Sequence, residues 1–141
     1  MIQRIQSVYL ALAAALLGFQ YLYSSVYPWA STDAYAWLSP TVLALFTLAG
    51  IGALGTIFLY KDRKRQRSLV VILQILTLVG LIILIVANYT AGTLPGISMS
   101  DAAFSHWAAL VSPIMAYLMF LMARRGIDKD ISLIRSTDRL R

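Results

Sequence analysis

Residue types that catalyse acid–base chemistry are rare in this sequence, and three of them stand close together. Asp101, Ser105 and His106 are the residue types of a Ser-His-Asp triad. Neighbouring residues of one helix point in different directions, however, so this spacing does not assemble a triad. His106 is the only histidine and cysteine is absent, which leaves a metal or haem without the second strong ligand that it usually needs. We therefore predict no catalytic residue, no metal and no cofactor, and we place His106 near a membrane interface.

A glycine-rich stretch at residues 50–55 reads Gly-Ile-Gly-Ala-Leu-Gly, which matches the dinucleotide-binding pattern. That pattern binds a pyrophosphate only where a strand turns into a helix. Here it lies inside a long apolar segment, so we interpret it as helix packing, in which small residues let two backbones approach. We predict that the first two helices form the tightest contact, within the chain or between copies. The residues predicted for this contact are Ala11, Ala15, Gly18, Ala49, Gly52, Ala53 and Thr56.

Two further residues inside apolar segments have chemical consequences. Gln74 carries an amide that needs a partner in hydrocarbon, and hydrogen bonds between transmembrane helices contribute about 0.6 kcal/mol on average. We interpret Gln74 as a structural contact between helices. Pro113 cannot donate to the carbonyl of Ala109, so we predict a kink there. Transporters use broken helices to expose backbone groups to substrate, and gating at Pro113 is the alternative interpretation.

Four long apolar segments position these residues. Hydrophobic residues make up 60% of the 141 residues and charged residues 13%, against about 25% charged residues in a soluble domain. Crossing a bilayer core of about 30 Å takes roughly 20 apolar residues in a helix. The segments of this length without an internal charge are residues 5–23, 41–60, 68–87 and 102–123. We predict an all-α polytopic membrane protein, one domain over residues 1–141, with four transmembrane helices in an up-down-up-down bundle and a basic tail at 124–141.

The basic residues decide the orientation of these segments. All 12 lysines and arginines fall on one side of a four-span arrangement: before the first segment, between the second and third, and after the fourth. The only charged residues in the two loops on the other side are Asp33 and Asp101. By the positive-inside rule, both termini and the central loop are predicted to be cytoplasmic.

The same basic residues form the predicted contact surface. Anionic headgroups attract each Lys or Arg beside a membrane by about 1 kcal/mol. Ile127, Ile131 and Ile134 form an apolar stripe, so we interpret the tail as a short helix that lies along the membrane or against a protein partner. Nucleic acid is excluded because no aromatic residues are interleaved with the basic ones. The residues predicted to contact anionic lipids or a partner are Lys61, Arg63, Lys64, Arg65, Arg67, Arg124, Arg125, Lys129, Arg135, Arg139 and Arg141.

Both ends of the sequence carry distinctive motifs. Residues 1–10 read Met-Ile-Gln-Arg-Ile-Gln-Ser-Val-Tyr-Leu, residues 123–130 read Ala-Arg-Arg-Gly-Ile-Asp-Lys-Asp, and residues 134–141 read Ile-Arg-Ser-Thr-Asp-Arg-Leu-Arg. With the basic loop between the second and third segments, these motifs resemble an uncharacterised family of four-span membrane proteins found in Bacteroidota, the domain-of-unknown-function family four-two-nine-three. The resemblance covers essentially the whole chain. It implies a bacterial inner-membrane protein with four helices, and it implies no activity, cofactor or site.

The function expected from these features is that of a non-enzymatic accessory or scaffold subunit in a membrane complex. Its partners would be membrane lipids and either another protein or a second copy of the chain. Two alternatives stay open: a small transporter or channel for an apolar or weakly polar solute, and a protein that handles lipids or quinones. Solute pathways usually contain intramembrane ionisable residues, and the four segments have none, which favours the scaffold.

Overall fold

The computed structural model describes residues 2–22, 36–92 and 101–138, without the side chains of residues 2–4, 101–103, 135, 137 and 138. These residues form four helices, and a short 3-10 turn extends the first. The bounds are Ile2–Gly18 for α1, Phe19–Tyr21 for the 3-10 turn, Leu38–Ile57 for α2, Arg63–Thr90 for α3 and Asp101–Asp138 for α4. The described part of the chain is therefore all-helical. Three of its helices are long and apolar enough to cross a membrane, namely α2, α3 and α4, and α1 is a shorter apolar helix.

The starts of α2 and α3 lie ahead of the predicted segments. α3 begins at Arg63, inside the basic run, because the Asp62 carboxylate accepts a hydrogen bond from the Arg65 backbone N–H at 3.1 Å and caps the first turn. α2 begins at Leu38. Pro40 lies in its first turn, where a backbone N–H has no helical partner and proline is tolerated.

α4 continues from Asp101 to Asp138, so it contains both the predicted fourth segment and most of the predicted tail. The prediction of a separate tail helix is wrong. Ile127 is completely buried and Ile131 packs against the core, so the apolar stripe of the tail faces the bundle of its own chain. Ile134, at the end of the stripe, is exposed.

Each helix of the bundle packs against two others: α1 against α2, α2 against α3, α3 against α4, and α4 against α1. The tightest contact is predicted between α1 and α2, within the chain or between copies, and this stays a prediction. Among the described residues the most extensive interface joins α1 to α4. The reason is that α4 contacts both ends of the α1 segment. Gln6 near its start bonds to Asp130, and Gln20 after its end bonds to the carbonyl of Ala109.

The packing residues predicted on α2 are turned into the bundle. Ala49, Ala53 and Thr56 are buried. Gly52 packs against α3 instead of α1, because a Cβ on Gly52 would lie 2.5 Å from a methyl carbon of Leu73. The missing side chain at this position therefore lets α2 and α3 approach closely.

The packing residues predicted on α1 lie on its outer side. Ala11, Ala15 and Gly18 are exposed, so they are not buried against α2 within the chain, and their contact between copies stays a prediction. Leu10 and Leu17 occupy the opposite side of the helix and are buried in the core. The side of α1 that carries Leu10, Ala13 and Leu17 faces the core. The outer side carries the small residues together with large ones such as Val8 and Leu12.

The polarity of the bundle is reversed relative to that of a soluble protein. Large apolar side chains such as Phe58, Ile72 and Val86 are more than half exposed. Among the described residues, ten polar side chains lie inside, beside the apolar core, and Gln6, Gln20 and Gln66 bond between helices. The buried polar residues are Gln6, Gln20, Ser39, Thr56, Gln66, Gln74, Thr77, Asn88, Ser112 and Asp130. An apolar exterior over a partly polar interior is expected of a chain surrounded by lipid.

Candidate functional site at the basic end

The basic end of the bundle comprises residues 61–67, where α2 leads into α3, and residues 124–130 of α4. Its centre is the carboxylate of Asp130, which is 5% exposed. One oxygen, Oδ2, accepts a hydrogen bond from Gln6 Nε2 at 2.8 Å and lies 3.1 Å from Nη1 of Arg63. A buried carboxylate needs such partners, because an unpaired charge is costly to remove from water. Asp130 therefore joins α1, α3 and α4.

The close approach of α1 to this carboxylate depends on Gly126, one turn earlier on α4. A Cβ on Gly126 would lie 2.9 Å from Cγ of Gln6. Any larger residue would push Gln6 away from Asp130. The glycine therefore has a packing role at this position.

A second ion-pair group lies nearer to the outside of the basic end. The carboxylate of Asp128 bonds to Nε of Arg67 and lies 3.8 Å from Nε of Arg124. The Arg67 and Asp128 side chains are each 42% exposed, and exposed pairs of this kind contribute about 0–1 kcal/mol. This group orients α3 against α4 more than it stabilises them.

At this end of α4 the carboxylate of Asp130 points inward and that of Asp128 is engaged by Arg67, and a basic surface is left outside. Arg125 and Lys129 are exposed on the opposite side of the helix from Asp130, at the spacing of one helical turn. Neither has an ion-pair partner among the described residues. We call this surface the outer face of α4; its residues are Arg125, Lys129, Ser132, Leu133 and Ser136.

The predicted contact surface therefore divides into two groups. Arg63 and Arg67 of α3 pair across the helix interface with Asp130 and Asp128 of α4. Arg124 pairs with Asp128 within α4. The remaining described members are exposed to the surroundings, although Arg65 also pairs with Asp62 at 3.0 Å; they are Lys61, Lys64, Arg65, Arg125 and Lys129. Arg139 and Arg141, and the side chain of Arg135, lie outside the described residues.

A buried amide supports the connection between α2 and α3. Gln66 Nε2 donates to the carbonyl oxygen of Thr56 at 3.1 Å. Thr56 is in the last turn of α2, and its carbonyl oxygen also accepts from the Leu59 backbone N–H at 3.2 Å. Gln66, in the first turn of α3, therefore adds a side-chain donor to a carbonyl at the end of α2.

At the other end of the bundle, a second amide compensates for Pro113. Because proline has no N–H, the Ala109 carbonyl lacks its usual helical donor. Gln20 Nε2 lies 2.8 Å from that carbonyl oxygen and 2.8 Å from Oγ of Ser112, and donates to both. α4 continues as a helix on both sides of Pro113, and the kink stays a prediction.

His106 and Ser105 lie near the start of α4, far from the basic end. Both side chains are half-buried. Among the described residues, no group of three or more histidine or carboxylate side chains is arranged to hold a metal ion. The side chain of Asp101 lies outside the described residues.

Gln74, the predicted contact between helices, has no partner for its amide nitrogen. It is buried in α3, and its Nε2 is the one buried side-chain nitrogen or oxygen without a hydrogen bond among the described residues. The amides that join helices are Gln6, Gln20 and Gln66. Gln74 thus carries a desolvation cost that the other amides avoid.

We expect Gln74→Met to raise the free energy of unfolding by about 1 kcal/mol, because methionine has a similar length and no donor to leave unpaired. Thermal unfolding in a mild detergent measures this change. The matched control is Gln66→Met, which removes a donor from the Thr56 carbonyl and should lower stability. Equal losses in the two variants would show that Gln74 has a partner.

Sequence reasoning missed Gln6, Gln66 and Asp130. A signal for Asp130 was present: it falls on the same helical side as the buried Ala123 and Ile127. A charged residue on the apolar side of a helix needs an interior partner, and Arg63 is the one that the fold brings to it. The long-range pairing itself was not readable from the sequence.

The apolar exterior, the three candidate spans and the interior hydrogen bonds together define a helical membrane protein. The family described as a domain of unknown function, DUF4293, matches residues 2–140, and the chain belongs to that family. No curated protein and no solved structure matches the chain.

Proposed function

We propose that this protein is a non-enzymatic accessory or scaffold subunit of a membrane complex in a bacterial inner membrane. The partner binds the outer face of α4 through acidic groups of its own. The observation that carries the proposal is the separation of charge on α4, where Asp130 is buried while Arg125 and Lys129 are exposed. Asp130 is turned into the bundle and Asp128 pairs with Arg67, so neither neutralises the exposed cations. The outer face of α4 therefore attracts an acidic surface.

The proposal includes four crossings in an up-down-up-down arrangement with the basic end in the cytoplasm. Gln6 and Arg63 both reach Asp130, which supports an arrangement with the starts of α1 and α3 beside the end of α4. α1 with its 3-10 turn is about 30 Å long, the thickness of a bilayer core. The positive-inside rule then supports the cytoplasmic placement.

The test is purification of the tagged protein from its native membrane, with quantification of proteins that remain at fixed stoichiometry. We expect Arg125→Gln/Lys129→Gln to lose such a partner, and we expect the wild-type complex to weaken at high salt because exposed charges are screened. Both residues point away from the bundle, so the variant should unfold like the wild type.

The matched control is Lys64→Gln/Arg65→Gln, which removes the same charge from another exposed part of the basic end. It should keep the partner. Retention of the partner by both variants, or its loss from both, contradicts docking on the outer face of α4. A truncation at Ile127 is unsuitable here, because it would remove the buried Ile127 and Asp130 along with the face.

A further inference from the structure

An open groove of about 360 Å³ lies where the end of α2 meets the first turns of α3. Its lining combines two cations with apolar walls. The lining residues are Leu59, Lys64, Arg65, Ser68 and Leu69.

The cations of the groove retain binding capacity. Lys64 has no ion-pair partner among the described residues. Arg65 is bonded through Nε to Asp62, but its side chain is 80% exposed and its guanidinium has further N–H donors. Ser68 donates to the backbone oxygen of Lys64 at 3.2 Å, which ties this turn of α3 together. An anion in the groove would therefore meet two adjacent positive groups.

The apolar wall of the groove continues along α3 toward the interior of the membrane. Leu69, Ile72 and Val79 are exposed on one side of the helix, at helical spacing. A ligand that meets the cations at one end and this row at the other must be amphipathic. Anionic headgroups beside a membrane are attracted to Lys and Arg in this way.

We propose that the groove is a binding site for an anionic phospholipid. The headgroup phosphate binds Lys64 and Arg65, and one acyl chain lies along Leu69 and Ile72. The proposal rests on the membrane placement, but it is independent of the docking surface, because it uses other cations.

The test titrates detergent-solubilised protein with phosphatidylglycerol and counts bound lipids by native mass spectrometry. We expect Lys64→Gln/Arg65→Gln to weaken binding by roughly 10- to 30-fold, the effect of two juxtamembrane cations. The control Arg125→Gln/Lys129→Gln removes equal charge outside the groove and should change binding less than about twofold. Phosphatidylcholine should bind the wild type weakly, and glycerol phosphate should not compete.

Three outcomes would overturn the proposal. Equal weakening by both double variants would show diffuse charge attraction without a site. Unchanged binding in Lys64→Gln/Arg65→Gln would place the lipid elsewhere. Competition by glycerol phosphate would make the ligand a soluble phosphate. Retention of a protein partner by Arg125→Gln/Lys129→Gln would contradict the proposed function alone, so the two failures are distinguishable.

Discussion

Asp130→Ala is expected to lower the free energy of unfolding by about 2–4 kcal/mol, one of the two largest single effects in the bundle. The substitution removes the acceptor of Gln6, which stays buried, and the counter-charge of Arg63. Arg63 is 26% exposed, so it turns partly to water and the loss stays below that of a fully buried pair. Thermal or denaturant unfolding in a mild detergent measures the change.

The control for this prediction is Asp128→Ala on the same helix. Its ion pairs are much more exposed, so we expect a loss of about 0–1 kcal/mol. A similar loss in the two variants would mean that burial of Asp130 adds nothing, and the joining of three helices at that carboxylate would be disproved.

Gln20→Leu is expected to cost about 2–3 kcal/mol, because it leaves the Ala109 carbonyl unpaired in the bundle interior and removes the bond to Ser112. The same substitution in a Pro113→Ala background should cost about 1 kcal/mol less, since alanine restores the helical N–H donor to Ala109. Unfolding of the wild type, both single variants and the double variant measures the coupling.

Additive effects in that cycle would contradict the assignment of Gln20 as the substitute donor for the proline. They would leave Gln20 as a partner of Ser112 alone. The Pro113→Ala variant also tests the gating alternative, since loss of a solute flux in that variant would favour transport over the scaffold.

The membrane class and the positions of the helices were predictable because they depend on length and apolar composition. The basic run predicted where α2 connects to α3. α3 nevertheless begins inside this run, because Asp62 caps the helix. That cap is a local pattern, and it was overlooked. The extension of α4 to Asp138 was also overlooked, although Ile127 and Ile131 continue its apolar side beyond Ala123.

The interior contacts were not predictable in the same way. The partner of Gln20 is the carbonyl of Ala109, and that of Gln6 is Asp130; both pairings depend on which helices become neighbours. Small-residue spacing suggested α1 and α2, but Ala11 and Ala15 face outward. In lipid, a helix keeps its backbone hydrogen bonds whether its small or its large residues face a neighbouring helix. Which side faces inward is therefore decided by the packing of the whole bundle.

The continuity of α4 fixes the position of its outer face relative to the bilayer. A helix rises 1.5 Å per residue, so the part after Ala123 extends about 20 Å farther. Asp130 clamps this extension to α1 and α3. The proposed partner would thus be held at a fixed height above the headgroups and in a fixed direction from the bundle. Because α4 is clamped to its neighbours, a rotation of the whole bundle about the membrane normal would turn the proposed partner through the same angle.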